Sequence, residues 1–215
     1  MIRPSTPKKS LVIFDFDGTI ADSFEQIISI SNKLAPRFNL APVSKEKVNT
    51  LRNLPGKEVI HQLGISRFKL PFFIRAVKKE FTQELHKVNI IPGIKDCVIQ
   101  LTKEGHQLGI VTSNTEENVR TYLEQHGLHT FFTFIYSSSN IFGKHKVLKK
   151  VLKKHQEYTS QTFYVGDECR DIEAAHKCDI RMISVLWGFS SKKRIEELSP
   201  FYIAQNPKEI PLVIH

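Results

Sequence analysis

The sequence predicts an α/β protein: a parallel sheet with crossover helices, interrupted by one inserted all-helical segment. Short β-rich runs alternate with amphipathic helical patterns through most of the chain, which is typical of a parallel sheet. Residues 21–88 break this alternation and show helical patterns alone. A chain of 215 residues is long enough to bury the core of one domain with a small insert.

The predicted strands are short runs rich in β-branched and aromatic residues, the composition that favours extended chain. The first run is followed by two aspartates, so its apolar character ends abruptly. The predicted strands are Leu11–Phe14, Gln107–Thr112, Phe132–Tyr136, Thr162–Val165 and Met182–Leu186.

Helical patterns separate the later strands. Gly105 and Gly127 end two of these helices, as glycine commonly does, and either Ser113 or Thr115 is available to cap the second helix. The predicted helices are Ile94–Glu104, Glu116–His126, Lys144–His155 and Glu168–Lys177.

The insert is predicted from the large number of residues that separate the first two predicted strands along the chain. Residues 21–88 contain four helical stretches punctuated by proline, and none of them is predicted to form a strand. The motif Ile91-Pro92-Gly93 then returns the chain to the main domain. We therefore predict a core of residues 1–20 and 89–215, and a helical insert of residues 21–88.

The net charge of +9 raises the question of a nucleic-acid partner. Much of the excess lies in the segment 144–155, where apolar residues recur at helical spacing and would face a core. The lysines between them then fall on a solvated outer face. Because no aromatic residues interleave with basic ones, we expect no nucleic-acid partner.

Other compositional features exclude further classes. No apolar run approaches the ~20 residues of a membrane span, so we expect no membrane partner. The apolar run near the start breaks at Asp15, so we expect no signal peptide. Three cysteines in no metal-type spacing indicate free thiols and a cytoplasmic location. The nine histidines do not have the spacing of zinc ligands. We expect a monomer or a homodimer.

Polar residues of chemical interest stand where three predicted strands end. Asp15 and Asp17 follow the first strand, Thr112 and Ser113 end the second, and Asp167 follows the fourth. Ligands of parallel α/β sheets bind beyond the carboxyl ends of the strands, so these residues should converge. Close carboxylates repel each other unless a positive group lies between them. The site therefore needs a cation.

Four short motifs occur along the chain in an order that is typical of a known superfamily. They are DFDGT at 15–19, VTSN at 111–114, FGK at 142–144 and GDECRD at 166–171. Together they resemble the four motifs of the haloacid dehalogenase superfamily of phosphohydrolases. The resemblance runs from about Leu11 to Pro207 and implies a Rossmann-like core, with the insert as a small helical cap.

Two further motifs look like the phosphoglycolate phosphatase-like branch of that superfamily: PGI at 92–94 and WGF at 187–189. The resemblance therefore implies a Mg²⁺-dependent phosphatase for a small phosphorylated substrate. A sugar phosphomutase or a non-catalytic phosphate-binding protein on the same fold remains an alternative. A dehalogenase is disfavoured because it has no need for an acid/base at Asp17.

The resemblance also implies roles for the acids. Asp15 would be the nucleophile that forms an aspartyl-phosphate, and Asp17 would be the general acid and base. The Mg²⁺ ligands would be the carboxylates of Asp15 and Asp167 and the backbone carbonyl of Asp17. Asp171, four residues after Asp167, should hold the phosphate lysine or a metal-bound water; a helix first-turn acid is the plainer interpretation.

The remaining implied roles concern phosphate and substrate. Thr112 would bind phosphate through its hydroxyl and Ser113 through its backbone N–H. Lys144, directly after Gly143, would be the phosphate lysine, but Lys146 stays open because the family often has proline where this chain has KHK. In the cap, we name two candidates for contacting an anionic substrate, although ordinary surface charge is the favoured interpretation of each: Arg52 and Lys57.

Overall fold

The computed structural model describes residues 9–54, 56–138, 143–156 and 161–214. The strands are β1 (Leu11–Phe14), β2 (Ala21–Asp22), β3 (Asn89–Ile90), β4 (Gln107–Thr112), β5 (Phe132–Ser137), β6 (Thr162–Gly166), β7 (Arg181–Val185) and β8 (Tyr202–Ala204). Within the described residues, six of these strands form one parallel sheet in the order β5-β4-β1-β6-β7-β8, so the predicted α/β class is confirmed.

Helices follow or precede nearly every strand, and several begin or end at the residues that the sequence predicts. Thr115, rather than Ser113, caps the helix after β4, since its side chain accepts from the backbone N–H of Asn118 at 3.2 Å. The α-helices are α1 (Phe24–Leu34), α2 (Lys45–Leu51), α3 (Gly56–Gln62), α4 (Leu70–Glu84), α5 (Ile94–Lys103), α6 (Glu116–Gln125), α7 (Lys144–Lys154), α8 (Cys169–His176), α9 (Lys192–Glu197) and α10 (Glu209–Val213).

Both faces of the sheet are covered by helices, which explains why the central strand β1 is apolar along its whole length. Val12 and Phe14 of β1 pack on the side of α5, α6 and α10. Leu11 and Ile13 point to the other side, toward α7, α8 and α9. In α7, Leu148 is buried there while the predicted outer lysines are exposed.

The insert carries α1–α4, and its described residues 23–54 and 56–88 contain no strand. One detail of the prediction is wrong. Ala21 and Asp22 form β2, which pairs antiparallel with β3 through Ala21↔Ile90 and Asp22↔Asn89. A ribbon of two residues a side leaves no periodic pattern in a sequence, so it was not foreseen. The division into core and insert at residues 21 and 88 stays a prediction.

The order of the strands determines where a ligand can bind. From β1 the chain builds one half of the sheet through β4 and β5, and then returns beside β1 to build the other half from β6. The switch in direction therefore lies between β1 and β6, where open α/β sheets have their ligand crevice. Among the described residues, no helix is both long and apolar enough to span a membrane.

Candidate active site

The ends of β1 and β6 bring three buried carboxylates together. Asp15 and Asp167 each follow their strand directly, and Asp171 lies in the first turn of α8. Each offers one oxygen, and these oxygens lie within 4.8 Å of one another. The Asp15 backbone N–H donates to the Val165 carbonyl at 2.8 Å, so the two strand ends are held side by side.

Lys144 supplies a cation to this cluster. It is the first residue of α7, and only 2% of its surface is exposed. Its Nζ donates to Asp15 Oδ2 and, at 2.6 Å, to Asp171 Oδ1. Lys146 is exposed on the outer face of the same helix. Of the two lysines left open by the sequence, the structure brings Lys144 to the acids.

The cluster formed by Asp15, Asp167, Asp171 and Lys144 carries more negative than positive charge. Burial raises the pKa of Asp15 to about 7, and the Lys144 ammonium opposes that shift. Burial also raises the pKa of Asp167 well above its usual value, and the neighbouring Glu168 and Asp15 carboxylates raise it further. Buried carboxylates in excess must take up protons or a cation.

Asp17 lies beside the cluster with its two oxygens in different surroundings. Oδ2 accepts from Asn114 Nδ2 at 3.0 Å, whereas the buried Oδ1 has no hydrogen-bond partner among the residues that the structure describes. Burial raises the pKa of Asp17, and the Asn114 hydrogen bond opposes this. Asn118 donates to Asn114 Oδ1 at 3.0 Å, which fixes the Asn114 amide as a donor. Asn114 belongs to the VTSN motif, but the sequence alone predicted no role for it.

Thr112 and Ser113 form the neighbouring edge of the mouth at the end of β4. Thr112 is fully buried, and its hydroxyl accepts from the Asn114 backbone N–H at 3.0 Å. Ser113 is partly exposed and meets two cations. Lys78 Nζ donates to its carbonyl, and an Arg170 nitrogen lies 3.4 Å from its hydroxyl. Neither cation was singled out from the sequence.

The WGF motif holds Asp167 in place. The Phe189 N–H donates to Asp167 Oδ2 at 2.7 Å, and the Thr19 hydroxyl donates to Oδ1 at 2.9 Å. Trp187 Nε1 donates to the Thr19 carbonyl at 3.2 Å, which ties the loop after β7 to the loop after β1. A Cβ on Gly188 would overlap the Asp167 carboxylate, so this position requires glycine.

The loop after β1 also requires glycine at one position, Gly18. Gly18 has φ +73°, and a Cβ there would lie 2.5 Å from Asp167 Oδ2 and 2.6 Å from the Phe189 ring. The chain can therefore turn beside Asp167 only without a side chain at this position.

The start of α8 orients the second carboxylate that contacts Lys144. Asp171 Oδ2 accepts from the Glu168 backbone N–H at 3.1 Å in a capping box, which leaves Oδ1 for Lys144. The Glu168 carboxylate pairs with Arg170. Burial raises the pKa of the neighbouring Cys169, so its thiol stays protonated at neutral pH.

The two cap candidates lie apart from the acids. Arg52 donates to the backbone carbonyls of Phe189 at 3.0 Å and Gly188 at 2.5 Å, and it stacks over the Phe24 ring. Lys57 is exposed on α3. Both line a mainly apolar cavity of about 560 Å³ between the insert and the loops after β6 and β7. Glu168 and Arg170 line the same cavity, but Asp15 and Asp17 do not.

The residues present fit a small divalent cation. All the groups that converge here offer oxygen, the donor atom that Mg²⁺ prefers. One carboxylate oxygen each of Asp15, Asp167 and Asp171 lies within 4.8 Å of the other two, so the three can share one cation. A divalent cation would offset the excess negative charge, which adds to burial in raising the pKa values of Asp15 and Asp167.

A comparison of the sequence with known protein families supports the same type of site. The model described as haloacid dehalogenase-like hydrolase matches residues 12–185. The chain belongs to this family. The superfamily predicted from the four motifs is therefore confirmed, and with it the assignment as an enzyme.

Similar proteins narrow the comparison to the predicted branch. The chain is 28% identical over 199 residues to a phosphoglycolate phosphatase of Synechococcus elongatus, covering 93% of this chain and 94% of that protein. It is 26% identical to a phosphoglycolate phosphatase of Vibrio parahaemolyticus, covering 95% of each. Both relatives carry the name of the branch that the PGI and WGF motifs predicted.

Solved structures show the same fold. A haloacid dehalogenase-like hydrolase of Streptococcus pneumoniae has a TM-score of 0.78 at 21% identity, over 96% of this chain and 99% of that one. A structure titled as a predicted phosphoglycolate phosphatase of Haemophilus somnus has a TM-score of 0.77 at 21% identity, over 96% and 98%.

Proposed function

We propose that this enzyme, a phosphatase of the haloacid dehalogenase-like family, hydrolyses a small phosphomonoester with Mg²⁺ through an aspartyl-phosphate on Asp15. Phosphoglycolate is the leading candidate substrate, because both relatives described above bear its name. One observation carries the proposal. Asp15 and Lys144 are paired within a buried group of acids at the switch point of the sheet.

Asp15 is the proposed nucleophile. Its oxygen bonds to phosphorus while the ester oxygen leaves, and Asp17 gives that oxygen its proton. Burial raises the pKa of Asp17, which favours the protonated carboxyl that this step needs. Asp17 then takes a proton from water as the water attacks phosphorus, and inorganic phosphate leaves Asp15 free.

The phosphoryl group is held by residues around the same mouth. The Thr112 hydroxyl, the Ser113 backbone N–H and the Lys144 ammonium are the proposed ligands of its oxygens. Lys144 is already oriented by Asp171, so it need not reorganise when charge develops in the transition state.

The carboxylates of Asp15 and Asp167 and the backbone carbonyl of Asp17 are the proposed Mg²⁺ ligands, with Asp171 nearby. When bound, Mg²⁺ supplies positive charge that offsets both these acids and the phosphoryl oxygens. The Thr19 hydroxyl and the Phe189 N–H orient Asp167 for this role.

The insert of residues 21–88 is the proposed cap. Its contacts with the loop after β7 and with Ser113 support this role, in which it would lie over the mouth and exclude water. Arg52 and Lys57 remain candidates for contacting an anionic substrate. In this structure Arg52 holds the loop carbonyls, so a role in substrate binding requires it to exchange partners. We further propose a cytoplasmic monomer or homodimer.

The test is a phosphate-release assay on a panel of small phosphate esters with Mg²⁺, using Asp15→Asn as the control. We expect phosphoglycolate to be among the best substrates and the control to be inactive. If no ester in the panel is hydrolysed, the proposal fails. Transfer of phosphate between positions of a sugar phosphate, without net release, would instead identify a phosphomutase.

A further inference from the structure

Arg52 joins the insert to the loop after β7 through hydrogen bonds in both directions. It follows α2 directly. Its side chain donates from Nε to the Phe189 carbonyl at 3.0 Å and from Nη2 to the Gly188 carbonyl at 2.5 Å. Its own backbone carbonyl accepts from the Ser191 N–H at 3.2 Å. Three hydrogen bonds of a single residue therefore connect the insert to this loop.

Two aromatic rings hold the plane of the Arg52 guanidinium. Its Cζ lies 5.0 Å from the centroid of the Phe24 ring in α1, and the Phe24 ring meets the Phe189 ring edge to face at 4.9 Å. A guanidinium presents its N–H groups in a rigid planar fork, which suits two adjacent carbonyl groups, whereas an ammonium lacks this geometry. The contact therefore depends on arginine and not on positive charge alone.

One peptide unit lies between Arg52 and Asp167. The Gly188 carbonyl and the Phe189 N–H belong to the same planar amide. Arg52 donates to the carbonyl, and the N–H donates to Asp167 Oδ2 at 2.7 Å. A donor on the carbonyl of an amide polarises that amide and strengthens its N–H as a donor. The insert thus contacts the backbone group that orients this carboxylate.

Asp167 would lose one of its donors if the loop shifted. The Phe189 N–H holds Oδ2, while the Thr19 hydroxyl holds Oδ1 at 2.9 Å. The Ser190 N–H also donates to the Asp167 backbone carbonyl at 3.3 Å, so the same loop contacts both the side chain and the backbone of this residue. A change in the loop therefore changes the orientation of the Asp167 carboxylate.

We propose that Arg52 is a positioning residue for the metal. Through the peptide unit of Gly188 and Phe189, it holds Asp167 in the orientation that binds Mg²⁺, and so it couples the position of the insert to metal binding. This inference rests on the proposed Mg²⁺ site and adds a residue of the insert to it. The role differs from contact with an anionic substrate, for which the Arg52 side chain would have to leave the loop.

The test measures the Mg²⁺ affinity of the full chain by calorimetry, with no substrate present. Arg52→Met keeps the apolar part of the side chain and removes its N–H donors. Loss of a residue that orients a metal ligand lowers affinity by about tenfold to a hundredfold. Because Arg52 acts through a peptide unit, we expect a loss of about tenfold. Arg52→Lys keeps the charge without the fork and should lose about threefold.

Arg67→Met is the matched control. Arg67 is an exposed arginine of the insert, and its guanidinium also stacks over a phenylalanine ring, that of Phe68 at 5.1 Å. This variant should leave the Mg²⁺ affinity unchanged, so a loss confined to the Arg52 variants comes from the loop contact. Circular dichroism shows whether each variant is folded. If Arg52→Met does not fold, the comparison of Arg52→Lys with the wild type decides the inference.

Hydrogen exchange measures the same coupling from the other side. Coupling between two sites is reciprocal, so bound Mg²⁺ should in turn stabilise the contact between Arg52 and the loop. In the wild type, Mg²⁺ should therefore slow exchange of the backbone amides of residues 45–54 and 186–191. In Arg52→Met the slowing at 45–54 should be lost. A purely structural role for Arg52 would change exchange there equally with and without Mg²⁺.

The outcomes separate this inference from the proposed function. Equal Mg²⁺ affinities of the wild type and folded Arg52→Met would overturn the inference and leave the phosphatase intact. An equal loss of affinity in Arg67→Met would also overturn it, because general charge would then be the cause. If the wild type binds no Mg²⁺, the inference fails together with the proposed metal site.

Discussion

Replacing Lys144 by methionine removes the ammonium from the acid cluster while keeping a side chain of similar length. Lys144 is fully enclosed and contacts two carboxylates, Asp15 and Asp171. Leaving a buried charge without its partner costs about 3–5 kcal/mol. Losing a preorganised charge in the transition state costs roughly 3 kcal/mol, about a hundredfold in rate. Both stability and catalysis should therefore fall.

The pH dependence tests the electrostatic cause of the lost stability. Burial raises the pKa of Asp15 from 3.8 to about 7 even with Lys144 present. The folded protein thus binds more protons than the unfolded chain between about pH 4 and 7, and stability falls as the pH rises through that window. Without the lysine this fall should be steeper, so the stability deficit of Lys144→Met should be smaller at pH 5 than at pH 7.5.

The assay combines urea unfolding at the two pH values without added metal and steady-state phosphatase kinetics with saturating Mg²⁺. Lys146→Met is the matched control, because Lys146 is exposed on the same helix, and it should change stability by less than about 0.5 kcal/mol and the rate little. A large loss of rate in Lys146→Met instead would show that Lys146, and not Lys144, is the phosphate lysine of the third motif. Wild-type turnover by folded Lys144→Met would refute its contact with the phosphoryl group.

The other predictions concern the nucleophile, the metal and the loop behind it. Asp15→Asn should abolish turnover without unfolding the protein, since the amide is a poor nucleophile of equal size; retention of more than a few per cent of the rate would contradict this. Chelation should abolish activity, Mg²⁺ should restore it and Ca²⁺ should do so poorly; full activity in excess EDTA would exclude the metal. Gly188→Ala should displace Asp167 and weaken Mg²⁺ binding by about tenfold or more, measured by titration of activity; unchanged affinity would contradict this.

The core of the sheet could be predicted because its signal is local. The long strands are runs of four to six residues rich in β-branched, aromatic and other apolar side chains, and β1 and β4 have the predicted bounds. Strands β2 and β8 have only two and three residues, so their sequences lack a recognisable pattern. Their pairing is decided by the rest of the fold.

Some residues of the candidate site could likewise be predicted from the sequence, and others could not. Acids that directly follow a predicted strand, such as Asp15 and Asp167, can be placed from sequence because the strand determines where they lie. Lys78 could not be placed, because its approach to Ser113 depends on how the insert packs on the core. Trp187 hydrogen-bonds Thr19 in the loop after β1, and Phe189 hydrogen-bonds Asp167 after β6, so both contacts involve residues more than twenty positions away.

Charge balance connects the metal to substrate binding as well as to catalysis. In the cluster of Asp15, Asp167, Asp171 and Lys144, a phosphate monoester near neutral pH would add nearly two further negative charges. Lys144 is already shared between two carboxylates, so it cannot compensate the incoming phosphate alone. A divalent cation lowers the cost of bringing that anion next to buried acids. Mg²⁺ should therefore tighten the binding of inorganic phosphate to the folded enzyme even without turnover. Phosphate titrations with and without Mg²⁺ measure this coupling, and equal affinities would show that the cation and the anion bind independently.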